Sequence, residues 1–393
     1  MRTIYFDHNA TTPLRPEIKD FLTGNLDLYG NASSMHHLGR QVRTRIEAAR
    51  ESIKRILHGD DGDLIFTSGG SESNNIVLKG MACSAASYCG HASRHIITTA
   101  IEHPSVLETC RCLETMGTEV TYLPVDGDAI VDPDDVRRAI RANTTLISIM
   151  FGNNEVGSIQ PIAAIGRIAR EHGIPFHTDA VQVVGKIPID VMALGIDFLS
   201  LSGHKIHAPK GVGALYVKSG LTFCPLIHGG HQERQRRAGT ENTLGILALG
   251  KALELAAADI DRDSSQVAAL RDRLQKGLLD RIEAVRINGS QEHRLPGTLN
   301  VSFRYVEGES VLLALDALGI CVSTGSACSS GSSAPSHVLQ AMGVPMDAIH
   351  GSIRFSLGWG STEEDVDSAL ALVPGAIQRL RSLSPLQPGT GRG

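Results

Sequence analysis

Between residues 60 and 220, short apolar runs rich in β-branched residues alternate with stretches of helical rhythm. No other feature constrains the fold as strongly. The apolar runs fall at 64–67, 95–100, 119–125, 145–152, 174–178, 198–202 and 214–217, each of strand length. Between them, 105–116, 133–141 and 161–172 read as helices. Pro133 and Pro161 suit first-turn positions, and Gly117 and Gly173 suit the residue just past a helix end. Strands separated by helices cross over rather than form hairpins, which predicts an α/β fold with a mostly parallel seven-stranded sheet covered on both faces. A helix over 39–57 precedes this block, and a long helical region from 244 to about 279 follows it. Beyond it, strands at 297–303 and 352–357 mix with helices at 309–318, 336–342 and 363–383, a smaller α+β unit. The expected division is a large domain of residues 15–261 and a small one of 1–14 with 262–393.

At 393 residues the chain is long enough for two cores, and 42% apolar with 20% charged residues is ordinary for a globular protein. A net charge of −5 and the lack of any Lys/Arg block argue against nucleic-acid binding. The most apolar stretch, 244–260, is interrupted by Lys251 and Glu254, so no membrane span is expected. The first residues lead straight into strand-like sequence without a signal-peptide apolar core, which points to the cytoplasm. Seven cysteines without a Cys-x-x-Cys pair argue against a disulfide framework or a structural zinc site. Cys110 and Cys112 read as two faces of one helix, one turned inward.

In open α/β sheets, ligands bind beyond the carboxyl ends of the strands, and the polar clusters of this chain fall there. Ser68-Gly-Gly-Ser-Glu-Ser-Asn74 follows the first run: either a helix N-cap at Ser71 or a phosphate cradle of free N–H groups. His103 ends the next strand, as a structural histidine or a site residue. Asn153, Asn154 and Glu155 follow another, in what is a turn or something more. Asp179 follows the apolar run at 174–178, where a carboxylate is costly unless it meets a cation, and Gln182 lies one helical turn on. Ser202-Gly203-His204-Lys205 ends the sixth run ahead of a Pro-Gly turn. Lys205 is then a surface lysine, or one desolvated enough to offer a neutral amine for Schiff-base chemistry, with Ser202 and His204 able to donate to a phosphate. A lysine Schiff base facing an Asp is how pyridoxal phosphate sites are built. No Walker loop, dinucleotide fingerprint, His-Glu-x-x-His or Gly-x-Ser-x-Gly elbow competes.

Residues 322–333 are almost all small and polar, and Cys328 is their one strong nucleophile. Such a loop cannot easily bury a thiol, so Cys328 reads as exposed and reactive rather than as a core cysteine. In the 352–357 strand, Ser352 and Arg354 share one face and Ile353 and Phe355 the other. Arg354 is there a surface residue or a carboxylate clamp.

These motifs together resemble the cysteine desulfurases of the NifS/IscS type, pyridoxal-phosphate enzymes of aminotransferase fold type I. The likeness runs from Tyr5-Phe-Asp-His-Asn-Ala-Thr-Thr-Pro13 to Ser352-Ile-Arg-Phe-Ser-Leu-Gly358. Its most specific parts are His177-Thr-Asp-Ala-Val-Gln182, Ser202-Gly-His-Lys205, Arg236-Arg-Ala-Gly-Thr-Glu-Asn242 and Gly325-Ser-Ala-Cys328. The resemblance implies an aspartate-aminotransferase-like fold in which Lys205 holds pyridoxal 5'-phosphate as a Schiff base. It implies that His103 stacks on the ring, Asp179 pairs with the ring nitrogen and Gln182 with the phenolic oxygen. Gly70, Ser71, Ser202 and His204 would bind the phosphate, Gly203 would belong to the cofactor-binding turn, and Thr240 would reach the phosphate of the neighbouring subunit, hence a homodimer. Asn154, beside the cofactor, and Arg354 would hold the carboxylate of L-cysteine. Cys328 would take the substrate sulfur as a persulfide, leaving alanine, and pass it to an acceptor or scaffold protein for iron–sulfur cluster or other sulfur-compound biosynthesis. No resident metal is implied, although Cys328 would be able to ligate a cluster in transit. Gly70-Ser71 departs from the family's usual Ala-Thr but keeps the hydroxyl. Selenocysteine lyase, another β-substituted amino-acid lyase, a plain aminotransferase and a non-catalytic sulfur or iron carrier are the rival readings.

Overall fold

A computed structural model describes residues 2–83, 95–324 and 335–384. The loop carrying Cys328 and the Pro/Gly-rich end at 385–393 lie outside the described residues. In chain order the described strands are β1 (Ile4–Tyr5), β2 (Asp63–Thr67), β3 (His95–Thr99), β4 (Glu119–Leu123), β5 (Thr144–Ser148), β6 (Phe176–Asp179), β7 (Phe198–Ser202), β8 (Gly213–Val217), β9 (Val285–Asn288), β10 (Thr298–Phe303), β11 (Ile320–Cys321), β12 (Ser323–Thr324) and β13 (Ser352–Ser356).

The seven apolar runs become one seven-stranded sheet in the order β2-β8-β7-β6-β5-β3-β4. β3–β4, β3–β5, β5–β6 and β6–β7 pair in parallel, while β8 runs antiparallel between β2 and β7. Side chains alternate between two apolar layers, as the period of a strand requires. Leu64 and Phe66 of β2 join the layer with Val42, Ile46 and Ile53 of the helix His37–Ile56 and with Ile165 and Leu249. Ile65 turns the other way, to Ile76 and Val77 of the helix Gly70–Ala82 and to Val106 of the helix Pro104–Thr115. Both faces are therefore covered, which is why β2, β3, β7 and β8 are buried at every position. Cys110 is buried in the second layer and Cys112 is half-buried, the two-faced pattern expected.

The long helical region is two helices, Thr243–Ala258 and Ile260–Arg281, parted at Asp259. The second covers a four-stranded sheet, β12-β13-β10-β9, together with the helix Glu363–Leu383. The N-terminal strand crosses to this second core: β1 pairs in parallel with β11, and Ile4 and Phe6 are buried there. Residues 7–13 then run as a strap between the two sheets, with His8 N–H bonded to Ser356 O and Thr12 N–H to His204 O.

One expectation is corrected. Cys83 and Cys224, 141 residues apart, are joined as a disulfide. Local spacing cannot reveal it, because only the fold lays the end of the helix Gly70–Ala82 against residue 224, where Cys224 N–H donates to Gly80 O at 3.3 Å.

Candidate active site

The carboxyl ends of β2, β6 and β7 meet around a cavity of about 350 Å³. Gly70, Ser71, His103, Asn154, Asp179, Gln182, Ser202, His204, Lys205 and Arg354 all line it. Gly203 does not; it packs beneath the turn, where an added Cβ would lie 3.0 Å from Val212 Cγ1. Thr240 does not either, and is exposed on a separate loop of the surface.

β2 ends in the Gly69-Gly70 turn that opens the helix Gly70–Ala82. A Cβ on Gly70 would lie 2.4 Å from Val181 Cγ2, so this position cannot take a side chain while Val181 stays in place. The missing side chain leaves the helix N-terminus, with Ser71 and Ser202 beside it, open to the cavity.

Asp179 is the last residue of β6 and is buried. Its Oδ1 accepts from Val181 N–H at 3.0 Å and its Oδ2 from Asn74 Nδ2 at 2.7 Å. Asn74 Nδ2 also donates to Ser105 Oγ at 2.9 Å, and that hydroxyl lies 2.8 Å from His103 Nδ1. His103 itself caps the helix Pro104–Thr115 through Ser105 N–H at 3.1 Å. It therefore caps the helix and also forms part of the cavity wall. Burial lowers its pKa, partly opposed by the Asp179 charge and reinforced by Lys205 and His337.

Lys205 closes the short 3-10 turn Gly203–Lys205 that follows β7. It is partly buried, with Nζ on the carbonyls of Asn9 and Ala10, the latter at 2.8 Å. The surface-lysine reading therefore fails. His204 contacts Thr11 Oγ1 at 3.1 Å, and burial followed by the nearby Lys205 and Lys210 charges lowers its pKa to about 4. Gln182 Nε2 donates to Asn9 O at 2.9 Å.

The opposite wall is Arg354, 2% exposed on β13. It donates to Asn154 O at 3.0 Å and pairs with Asp7 Oδ1 at 2.9 Å, while its buried Nε has no hydrogen-bond partner among the described residues. Asp7 Oδ1 also accepts from Ser323 Oγ at 2.9 Å. β5 brings Asn154 here because the chain keeps its ladder past Ser148: Ile149 and Phe151 N–H groups donate to His177 and Asp179 carbonyls. Next to it, burial raises the Glu155 carboxyl to about 7, against the opposing pull of its bond from Ser336 Oγ at 2.5 Å and of the Arg354 charge.

Asn9, Ala10, Asn74 and Ser105 are cavity residues that sequence reasoning did not single out. Asn74 stood inside a noted polar cluster, and Asn9 inside the N-terminal motif, but neither spacing signals a role. Cys328 lies outside the described residues.

The donor set suits pyridoxal 5'-phosphate on three observations. The N-terminus of the helix Gly70–Ala82 opens on the cavity with Ser71 and Ser202 beside it, a buried carboxylate faces the cavity, and a lysine amine stands beside it. Residues 4–369 match the family model described as aminotransferase class-V. The chain is 51% identical over 385 residues to a cysteine desulfurase IscS of Dictyoglomus turgidum, covering 98% of this chain and 97% of that one. It is 52% identical over 391 residues to a cysteine desulfurase IscS of Methanosarcina thermophila, covering 98% and 95%. A solved structure titled NifS-like protein superposes with a TM-score of 0.89 at 37% identity, over 96% of this chain and all of that one. With Lys205, Asp179 and His103 gathered on one cavity in the fold of these relatives, the chain belongs to the class-V aminotransferases, among the cysteine desulfurases of the NifS and IscS type.

Proposed function

We propose that this protein converts L-cysteine to L-alanine and carries the released sulfur as a persulfide on Cys328. The observation that carries the reading is the convergence of Lys205, Asp179, His103 and Arg354 on one cavity. The family depends on pyridoxal phosphate, which when bound supplies an electron sink for the bonds at the substrate Cα.

Lys205 Nζ holds the cofactor aldehyde and afterwards moves a proton at the substrate Cα. Asp179, locked by Asn74 and Val181, presents a carboxylate to the ring nitrogen. His103 would stack on the ring, and Gln182, whose Nε2 donates to Asn9 O, would offer its other N–H to the phenolic oxygen. Gly70, Ser71, Ser202 and His204 surround the phosphate, with Gly203 shaping their turn. Arg354 and Asn154, both on the cavity wall, would orient the substrate carboxylate. Cys328, as a thiolate, would attack the substrate sulfur; the S–S bond forms as the carbon–sulfur bond breaks, the electron pair of the broken bond stays with the carbon, which takes up a proton to leave as alanine, and the sulfur remains on Cys328 as the persulfide.

The exposure of Thr240, away from its own cavity, supports its reaching the phosphate site of a second subunit in a homodimer. The separate cores under the two sheets support the division into 15–261 and 1–14 with 262–393. No described helix is long and apolar enough to cross a membrane. A cytoplasmic role, with a scaffold protein for iron–sulfur assembly as sulfur acceptor, completes the reading.

The test is incubation with L-cysteine, measuring alanine released and persulfide on Cys328, alongside borohydride reduction and peptide mapping. Equimolar alanine and sulfur with a pyridoxyl label on Lys205 are expected. A holoprotein labelled elsewhere, or alanine formed without Cys328 persulfide, would overturn the assignment.

A further inference from the structure

One cation at the back of the cavity has no part in these roles. Lys186 lies four residues beyond Gln182, half-buried, and lines a second, smaller cavity behind the first. Its Nζ donates to Gln182 Oε1 at 3.1 Å and to Asn9 Oδ1 at 3.4 Å. Gln182 Nε2 in turn donates to Asn9 O, the same carbonyl that Lys205 Nζ contacts.

A glutamine amide has two ends of nearly equal shape, and only its partners decide which way it faces. In its protonated form Lys186 donates and never accepts, so below its pKa it tolerates only the carbonyl end. With Oε1 held by Lys186, Nε2 is turned toward Asn9 and the cavity. One of its two hydrogens serves the Asn9 carbonyl, and the second remains for an anionic oxygen in the cavity. An amide turned the other way would meet that oxygen with its own carbonyl and repel it.

We propose that Lys186 is a positioning residue for the reaction, fixing the Gln182 amide so that its Nε2 faces the phenolic oxygen of the cofactor. The inference rests on the cofactor assignment above. Its charge acts in the same sense. The groups facing Lys186 are Lys205 on the 3-10 turn, Arg354 on β13, His8 on the strap and His207 after the turn, with Arg15 and Asp263 closing the small cavity behind. Asp263 is paired with Arg15 at 2.9 Å, so it does not neutralise Lys186. Burial, then the Lys205 and Arg354 charges, lower the Lys186 pKa to about 7. By reciprocity, a protonated Lys186 disfavours a proton on the Lys205 nitrogen.

The experiment uses purified holoenzyme and reads the pH titration of the visible band of bound pyridoxal phosphate, with cofactor retention on dialysis. Lys186→Met is expected to raise the apparent pKa of the band by about one unit and to speed cofactor loss about tenfold. Lys186→Arg, which keeps charge and donors, is expected to stay near wild type. On a Gln182→Leu background, Lys186→Met is expected to speed cofactor loss much less than it does alone, because the lost contact acts through Gln182. An unshifted titration in folded Lys186→Met, or full additivity in the double variant, overturns the proposal. Should Lys186→Met not fold, Gln182→Leu alone must show faster cofactor loss; wild-type retention there overturns it equally. A wild-type protein with no borohydride-reducible band on Lys205 instead defeats the cofactor assignment, so the two failures are told apart.

Discussion

Asn74 Nδ2 stands 2.7 Å from Asp179 Oδ2, and the same amide nitrogen reaches Ser105 Oγ at 2.9 Å. The first residue belongs to the helix after β2 and the second to the end of β6. Their contact therefore locks the helix that opens at Gly70 to the Asp179 carboxylate on the cavity wall. Asn74→Ala removes one hydrogen bond to a charged acceptor, worth about 1.5–3 kcal/mol. The expected result is a cofactor bound at least tenfold more weakly with the fold intact, read by titrating apoprotein with pyridoxal phosphate. Unchanged affinity would show that Asp179 needs no such support.

Arg354 is buried and paired with Asp7. Arg354→Lys keeps the charge but loses the planar fork that grips a carboxylate in two places. The expected outcome is a fall of about 100-fold in kcat/KM for L-cysteine, carried mainly by KM. Cofactor absorbance should be unchanged. If kcat falls and KM does not, Arg354 acts on the chemistry rather than on substrate binding.

Cys328→Ala is expected to keep the cofactor band and its borohydride label on Lys205 while losing sulfur transfer. Retained persulfide delivery to an acceptor thiol in that variant contradicts the assignment of Cys328.

His177 is fully buried between Ser148 Oγ at 2.8 Å and Ser200 Oγ at 3.0 Å, and burial lowers its pKa to about 3. An unfolded histidine titrates near 6.5, so the unfolded chain binds this proton first as pH falls. The stability it contributes is present above about pH 6.5 and is lost progressively as pH drops toward 3. His204 and His207, both lowered to about 4, act in the same direction. Glu155, raised to about 7, acts in the opposite sense over the same range, so the contrast between proteins is what reads His177: between pH 7 and 5 the melting temperature of His177→Gln should lose less, or gain more, than that of the wild type. Parallel slopes for the two proteins would remove His177 as a source of the acid sensitivity.

The sheet was legible because each strand is a buried run whose length and β-branching show without knowing its neighbours. The strand order and the reversed β8 were not, since pairing partners lie far apart in the chain. The short edge pieces β1, β11 and β12, two residues each, carry no readable period and exist only because their partners meet them. The Cys83–Cys224 bond was hidden for the same reason.

The site divides along the same line. Lys205, Asp179, His103 and the glycine turn stand out in the sequence as polar residues directly after apolar strands, but each kept a structural alternative there until the family resemblance gave it a role. Their chemical types and order along the chain, and with them the nature of the reaction, are properties of the amino-acid sequence alone. Asn9, Asn74 and Lys186 carry no such mark: an asparagine in a strap or a lysine after a helical turn is ordinary until its neighbours are known. Only the packing of the strap between two sheets, which turns Asn9 toward both lysines and Gln182, decides that these side chains act together, since hydrogen bonds reach about 3 Å and the residues involved are nearly 200 positions apart.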